Sequence, residues 1–503
     1  MITKNQNNNE NIVEKVKGII EKLCWVPLLT GLIGYCYMGN MSFVEGLYAT
    51  IALYFVNPVS DLNNVMVIIT KFLAVIVTAT IIISLARDAW YRIQNFIVKF
   101  YKDSTAIYGD DYYSKKFAEN YKHGYLCEDL HAKRIEKTKD HVVMFSDDLE
   151  NIKFISDHME EFKSSKSRVF MRLNKLDPFM FDELDDDMNL HFFNFYDILA
   201  RDYWEKHSLI EACLNASDEE KIKVGILGYG NIGRAIFRNG YLNNLYSITQ
   251  NIEYHIWGCS KQESAFLQKL NTGNKDIIVV HDSDYLDCSD EIAGMTRVIL
   301  TEEKNSIELI RQLFSYISYP QIHCYSEKKI SFDQIFKSKD IPVVFFGNME
   351  GILSAETIKT EKEYRLGKLF NYNYNCVDKA KKEGIKIEKL EDYNHINEES
   401  VESQWKELSV FIKGSNIAYA NHYWIKKYLR SMATPTPEKV IAELEHIRWC
   451  RYHYFHGWEY GKERDNEKRI HPLLVDFSML DYDDKQKDEI SLKSVKEEVD
   501  LVY

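Results

Sequence analysis

Apolar and polar residues follow three different rhythms along this chain. From Leu23 to Met38, and again from Val65 to Ala86, the sequence is apolar, broken in the second run only by Lys71. A bilayer-spanning helix needs about 20 residues, which the second run supplies. The first run reaches that length if its helix begins within the preceding IVEKVKGIIEKL, whose Lys15, Lys17 and Lys22 would then sit in the headgroups. No Lys or Arg lies between Lys22 and Lys71, whereas Arg87, Arg92, Lys99 and Lys102 follow the second run. The excess of cations on one side predicts a multi-pass protein with both termini in the cytoplasm. Lys71, near the outer end of its span, is long enough to snorkel to the interface.

Between the spans, SFVEGLYATIALYFVNPVSDLNN is too apolar for an exposed loop and too short to cross and return, which predicts a re-entrant helix. The order helix, re-entrant helix, loop, helix resembles the pore unit of two-helix potassium channels, and that resemblance implies a homo-oligomer, specifically a tetramer. Those channels carry a Thr-Val-Gly-Tyr-Gly filter of stacked carbonyls. Here the loop reads Asn57-Pro58-Val59-Ser60-Asp61. Asn57, Pro58, Ser60 and Asp61 are therefore the candidate pore residues, with a ring of Asp61 carboxylates favouring cations without potassium selectivity. The alternative is a membrane anchor that conducts nothing.

A second rhythm, short apolar runs alternating with amphipathic ones, fills the middle of the chain and predicts parallel sheets with helices between the strands. KIKVGILGYGNIGRAIF reads as a strand, then Gly228-x-Gly230-x-x-Gly233, then a helix from about Asn231. Glycines in that context permit a tight turn and close approach of a pyrophosphate to a helix start. IEYHIWG, KDIIVVHDSDY, TRVILTEEKNSIELIRQLF and QIHCYS continue the alternation. A weaker copy precedes it, in which Gly109-Asp110-Asp111 replaces the glycine triplet and the two carboxylates would repel a phosphate. The tandem resembles the RCK (regulator of potassium conductance) or TrkA-N family, in which Rossmann lobes on the cytoplasmic side gate a pore. The candidate nucleotide site comprises Gly228, Gly230, Asn231, Ile232, Gly233, Ser260, Asp282 and Glu302. The second strand ends Trp257-Gly258-Cys259-Ser260, without the acidic residue that holds ribose hydroxyls in dinucleotide sites, so a purely structural glycine turn is the competing reading.

The third rhythm is helical. After mixed α/β sequence from Asn371 to about Asp392, ESVESQWKELSVFIKGSNIAYANHYWIKKYLRSM predicts amphipathic helices, with Ser415, Asn416 and His422 near a C-terminal pocket. Beyond Pro435 and Pro437, EHIRWCRYHYFHGWEYGKERDNEKRIHPLL gathers aromatic and charged groups at unusual density. Helical spacing puts His446, Trp449, Cys450 and His453 near one face, and Gly457 and Gly461 bracket a turn bearing Trp458 and Tyr460. The Glu-His-x-x-Trp run at 445–449, the Gly-Trp-x-Tyr-Gly run at 457–461, Arg464-Asp465, Lys468, His471-Pro472 and Lys487-Asp488 resemble the RyR domain, a short repeat named in ryanodine receptors and found in many bacterial proteins. Its candidate ligand-binding residues are Glu445, His446, Arg448, Trp449, Trp458, Tyr460, Arg464, Asp465, Lys468 and His471. An aromatic floor rimmed by cations suits a planar anion such as a nucleotide; the core of a small domain is the plainer reading. His446, Cys450 and His453 have metal-ligand spacing, but no paired motif completes a first shell and no metal is expected.

The resulting plan is an α-helical membrane pore unit plus α/β lobes and a small, mainly helical end domain. Its expected parts are a disordered or amphipathic start at 1–22, the pore unit at 23–102, a degenerate RCK-like lobe at 103–217, a second lobe at 218–370, a helical linker at 371–434 and the RyR domain at 435–503. A net charge of −13 argues against nucleic-acid partners, and nine scattered cysteines suit a reducing cytosol. Asp182, Glu183 and Asp185 to Asp187 read as a solvated acidic loop. No nucleophile elbow, Walker loop, kinase set or zinc-hydrolase helix is present, so an enzyme is not expected. The sequence points to a ligand-gated effector of a bacterial inner membrane, whose ligand is nucleotide-like, either NAD-like or a cyclic or ADP-ribose-type second messenger. The RyR resemblance adds an association with nucleotide-signalled antiviral defence. A nucleotide-sensing scaffold without conduction, or a potassium-transport regulator, is the alternative.

Overall fold

The computed structural model describes residues 25–382 and 398–485, apart from 102, 177, 179–187, 218, 303–305, 317, 319, 328–342, 360 and 483. The expected N-terminal tail with Lys15, Lys17 and Lys22, the acidic run at 182–187, and Lys487 and Asp488 lie outside those residues. The chain divides into two compact units, residues 1–101 and 102–503.

In the first unit a helix Val26–Leu32 runs into a π-helical turn Ile33–Tyr37, followed by helices Phe43–Tyr54 and Val65–Val98. Local chemistry sets the starts. Ser42 accepts the Glu45 N–H at the second helix, and Asn64 accepts the Val67 N–H at the third. Asn64 also donates to the Gly34 carbonyl at 2.7 Å, and Thr30 and Thr70 hydroxyls meet at 2.8 Å. A methyl group on Gly31 would come within 2.3 Å of Thr50, and one on Gly46 within 2.2 Å of Cys36. Contacts through glycines and hydroxyls let these helices approach closely. On the outer face Trp25, Leu29, Phe43, Tyr48, Phe72 and Ile76 are exposed. Val65–Ile82 is the one segment among the described residues long and apolar enough to cross a bilayer, whereas Val26–Tyr37 and Phe43–Tyr54 are shorter apolar helices. The other expected crossing, from Leu23 to Met38, is thus represented among the described residues only by the shorter apolar helix Val26–Tyr37.

The second unit holds two parallel sheets. β1 (Thr105–Tyr108), β2 (Gly124–Cys127), β3 (Asp140–Val143), β4 (Arg168–Arg172) and β5 (Asn189–Phe193) lie in the order β2-β1-β3-β4-β5. β6 (Ile222–Leu227), β7 (Ile252–Trp257), β8 (Ile277–His281), β9 (Arg297–Leu300), β10 (Gln321–Tyr325) and β11 (Val343–Phe346) lie in the order β11-β10-β9-β6-β7-β8. Counted within its own lobe the second order is 6-5-4-1-2-3, the doubly wound dinucleotide-binding arrangement with its switch point between β6 and β9. Burial of every residue in β1, β3, β7 and β9 fits sheets covered on both faces.

Four helices follow, Lys362–Lys382, Glu398–Lys406, Val410–Ser431 and Glu438–Phe455, and then a short pairing of β12 (Glu459–Tyr460) with β13 (Ile470–His471). Helix, not mixed α/β, runs through Asn371–Lys382. One apolar core continues from the first lobe through the second to these helices, taking in Phe117, Phe237, Leu429 and Ile441. Buried polar ties cross the same boundaries. Arg451 donates to the Tyr241 and Thr272 carbonyls and pairs with Asp276 at 2.7 Å, and Lys359 reaches Asp140, Thr105 and Tyr121, each at 2.8 Å.

Candidate functional site

The glycine turn after β6 is built as its three glycines require. Gly228 has φ +96°, a conformation that penalises any side chain. A Cβ on Gly230 would meet nothing within 4 Å, so this position is open to a ligand, while a Cβ on Gly233 would lie 2.0 Å from the Gly228 carbonyl oxygen. Thr301 clamps the turn by donating to the Leu227 and Gly228 carbonyls at 2.9 and 2.7 Å. Asn231 and Ile232 begin the following helix, Asn231–Asn243, with no side chain capping its first N–H groups. Together these features make a cradle for an anion.

The other residues expected at this crevice divide. Glu302 is there: its carboxyl carbon is 2.8 Å from where a Gly228 Cβ would stand. An entering phosphate meets a like charge, whereas ribose hydroxyls meet an acceptor. Asp282 is exposed at the end of β8, two strands from β6, so strand order separates it from the turn. Ser260 caps the next helix through a reciprocal pair with Glu263, which in turn binds Arg234 at 2.5 Å. In the first lobe, Asp111 accepts from Ser114 N–H and pairs with Arg172 at 2.8 Å, so the helix start there is filled by its own side chain.

The C-terminal block separates into an interior and an exterior. His446, Trp449, Cys450 and His453 do share a face of the helix Glu438–Phe455. Trp449 lies 4.0 Å from His453 and 5.0 Å from His471 between ring centres, and buried Trp458 stacks on Phe411 at 5.3 Å. His446 Nε2 bonds to the Val475 carbonyl at 2.8 Å and sits 3.4 Å from the Cys450 sulfur. Glu445 and Arg448 turn inward: the guanidinium grips the carboxylate at 2.7–3.0 Å, and Lys426 adds a contact at 2.5 Å. Burial disfavours the Glu445 charge, but Arg448 and Lys426 outweigh it and hold that carboxyl at about 2. Burial likewise lowers Lys426 to about 8 against the pull of Glu445. Exposed Tyr460, Arg464 and Lys468, with Asp465, occupy the outer hairpin, where Arg464 bonds Asn466 and Lys468 pairs with Asp465 at 2.9 Å. Arg448 thus belongs to an interior charge cluster and does not join Arg464 and Lys468 in one cationic rim, because Glu445 and Lys426 draw it inward.

Sequence reasoning missed a cavity of about 210 Å³ between the two lobes and the C-terminal helices. Leu190, His191 and Phe193 of β5 and Asp197 and Arg201 after it form one wall, Arg238, Asn239 and Leu242 a second, and Lys413, Ile417, Asn421, Tyr452 and His456 a third. Two ion pairs span its lining, Arg201 with Glu361 and Arg238 with Asp197. Burial pushes Glu361 up even beside Arg201, and holds His456 down at about 3. Aromatic rings, cations and carboxylates lining one cleft are what a planar, charged ligand needs. The only advance signal was Ser415-Asn416, adjoining Gly414 and Ile417 of the lining.

Residues 429–499 match the RyR domain family. The RyR domain therefore begins inside the helix Val410–Ser431 and supplies Tyr452 and His456 to the cavity. No curated protein gives a significant match to the chain. Two crystal structures of GsuK, one of a mutant and one bound to ADP, are similar at a TM-score of 0.33 and 15% identity, covering 69% of this chain and 99% and 100% of theirs.

Proposed function

We propose that this chain is a ligand-gated membrane effector in which a nucleotide-like molecule, held by the RCK-like lobes and the RyR domain, opens a weakly selective cation pore. The observation that carries the reading is the three-walled cavity: a ligand there touches the first lobe, the second lobe and the RyR domain at once. Such a ligand shifts their packing by as much as its affinities for the two arrangements differ. The glycine turn offers a second site, where the open helix start faces a phosphate and Glu302 a ribose hydroxyl, and the apolar exterior of residues 25–82 fits a lipid surround. Bacterial inner-membrane location, self-assembly and a part in antiviral defence belong to the same proposal.

The test is ion flux from liposomes holding the purified full-length protein, screened against adenine and nicotinamide nucleotides and cyclic or ADP-ribose-type messengers. A ligand-triggered flux that disappears in Ala418→Trp, a variant that fills the cavity, supports the proposal. Tight nucleotide binding without any flux would support the scaffold reading instead.

A further inference from the structure

The outer edge of the second sheet carries a group of side chains that the glycine turn and the cavity do not use. Glu253, His255 and Trp257 share one face of β7, and β8 runs parallel beside it with His281 opposite Trp257. Glu291, on the short helix Ser289–Ala293, reaches both histidines. His255 Nδ1 and His281 Nε2 are 3.0 Å apart, and Glu291 Oε1 lies 3.5 Å from the first and 3.6 Å from the second. Bonds of about 2.0–2.1 Å at a tetrahedral angle put neighbouring ligand atoms about 3.3 Å apart. The three donors thus outline one face of a tetrahedron of the size a zinc-class ion requires.

The surroundings hold the rings in that pose. Trp257 stacks flat on His281, 3.9 Å between centres and 4° between planes. Glu253 Oε2 stands 3.5 Å from the outer nitrogen of His255, and Glu253 is itself tied to Lys221 at 2.6 Å. A metal-bound histidine ordinarily gives its other N–H to a carboxylate, which fixes the tautomer and aims the free lone pair at the ion. Glu253 is the carboxylate nearest that buried nitrogen, which has no hydrogen-bond partner in this structure.

We propose that this edge binds a divalent transition-metal ion of the zinc class through His255 Nδ1, His281 Nε2 and Glu291 Oε1, with Glu253 as the outer carboxylate and a fourth position open to water. Two imidazoles and one carboxylate favour zinc, cobalt or nickel over calcium or magnesium. The competing arrangement is a hydrogen bond between two neutral imidazoles. That bond uses one lone pair and leaves the Glu291 carboxylate at 3.5 and 3.6 Å with no proton of theirs to accept. An ion uses all three donors and ties β7, β8 and the Ser289–Ala293 helix together.

The full-length protein, stripped with a chelator, is titrated with cobalt as a visible stand-in for zinc. One equivalent should bind per chain, give ligand-field absorption, be displaced by zinc, and raise the melting temperature. Glu253→Gln should weaken binding about 10- to 100-fold, and His281→Ala should abolish it. Glu291 is exposed, so Glu291→Gln should fold normally and still lose at least 10-fold in affinity. A wild-type chain that takes up neither cobalt nor zinc overturns the site. So does equal affinity in Glu291→Gln, since the ion would then rest on other residues.

Discussion

Two glycines three positions apart in one turn should respond oppositely to a side chain. Gly230 has open space where its Cβ would be, so Gly230→Val should leave the melting temperature nearly unchanged yet block a phosphate. Gly233→Ala must push against the Gly228 carbonyl 2.0 Å away and should destabilise the lobe by about 1–3 kcal/mol. Calorimetric titration with nucleotides and thermal melts of both variants separate these effects; loss of fold in the Gly230 variant would contradict the assignment. Arg451 makes a sharper case. It and Asp276 are wholly enclosed, and Arg451→Met would leave that carboxylate buried without its partner, at a cost of about 3–5 kcal/mol in denaturant unfolding. Trp458 is buried against Phe411, so Trp458→Ala opens a core void and reports on folding before it reports on ligand. The glycine roles were legible in sequence because they are local backbone constraints. The inward turn of Arg448 was not, because it depends on Lys426 of another helix.

At the scale of elements, the helix Phe43–Tyr54 ends in an instructive way. Val56 N–H bonds the Leu53 carbonyl and Asn57 N–H the Ala52 carbonyl, a helix-ending pattern that favours glycine in the left-handed position. Here that position is Val56, at φ +56°, immediately before the candidate pore loop. Val56→Gly should relieve about 1 kcal/mol or more and raise thermal stability; no gain would show that the strain is not there. The RyR domain carries a different liability. Burial holds His453 and His456 at about 3 and His471 at about 4, against 6.5 when exposed. The unfolded chain therefore binds more protons below 6.5, and stability should be full above that pH and fall as pH drops toward about 4. Tryptophan-monitored unfolding between pH 8 and pH 4.5 checks the sign. β6 and β7, six residues each, and β9, which leads into an amphipathic run, were readable in advance. β2 and β11 were not among the strands that the alternation marked.

For the whole molecule, the sequence shows the division into two parts, because apolar helices with an exposed apolar face and a doubly wound sheet impose different rhythms on the chain. It cannot show the cavity, whose walls come from residues more than two hundred positions apart. If the first unit forms a pore, the exposed Asp61 and the absence of a glycine filter predict passage of potassium and sodium with little discrimination. Strong exclusion of sodium in a bi-ionic measurement would overturn that reading of the loop. The most direct test of the central claim is the liposome flux experiment performed on wild-type and Ala418→Trp proteins side by side. Flux triggered by a nucleotide-like ligand in the wild type, and its loss in a variant that still inserts and assembles, is the predicted result. An identical response at the same ligand concentration in both proteins would contradict a sensor seated where the lobes and the RyR domain meet.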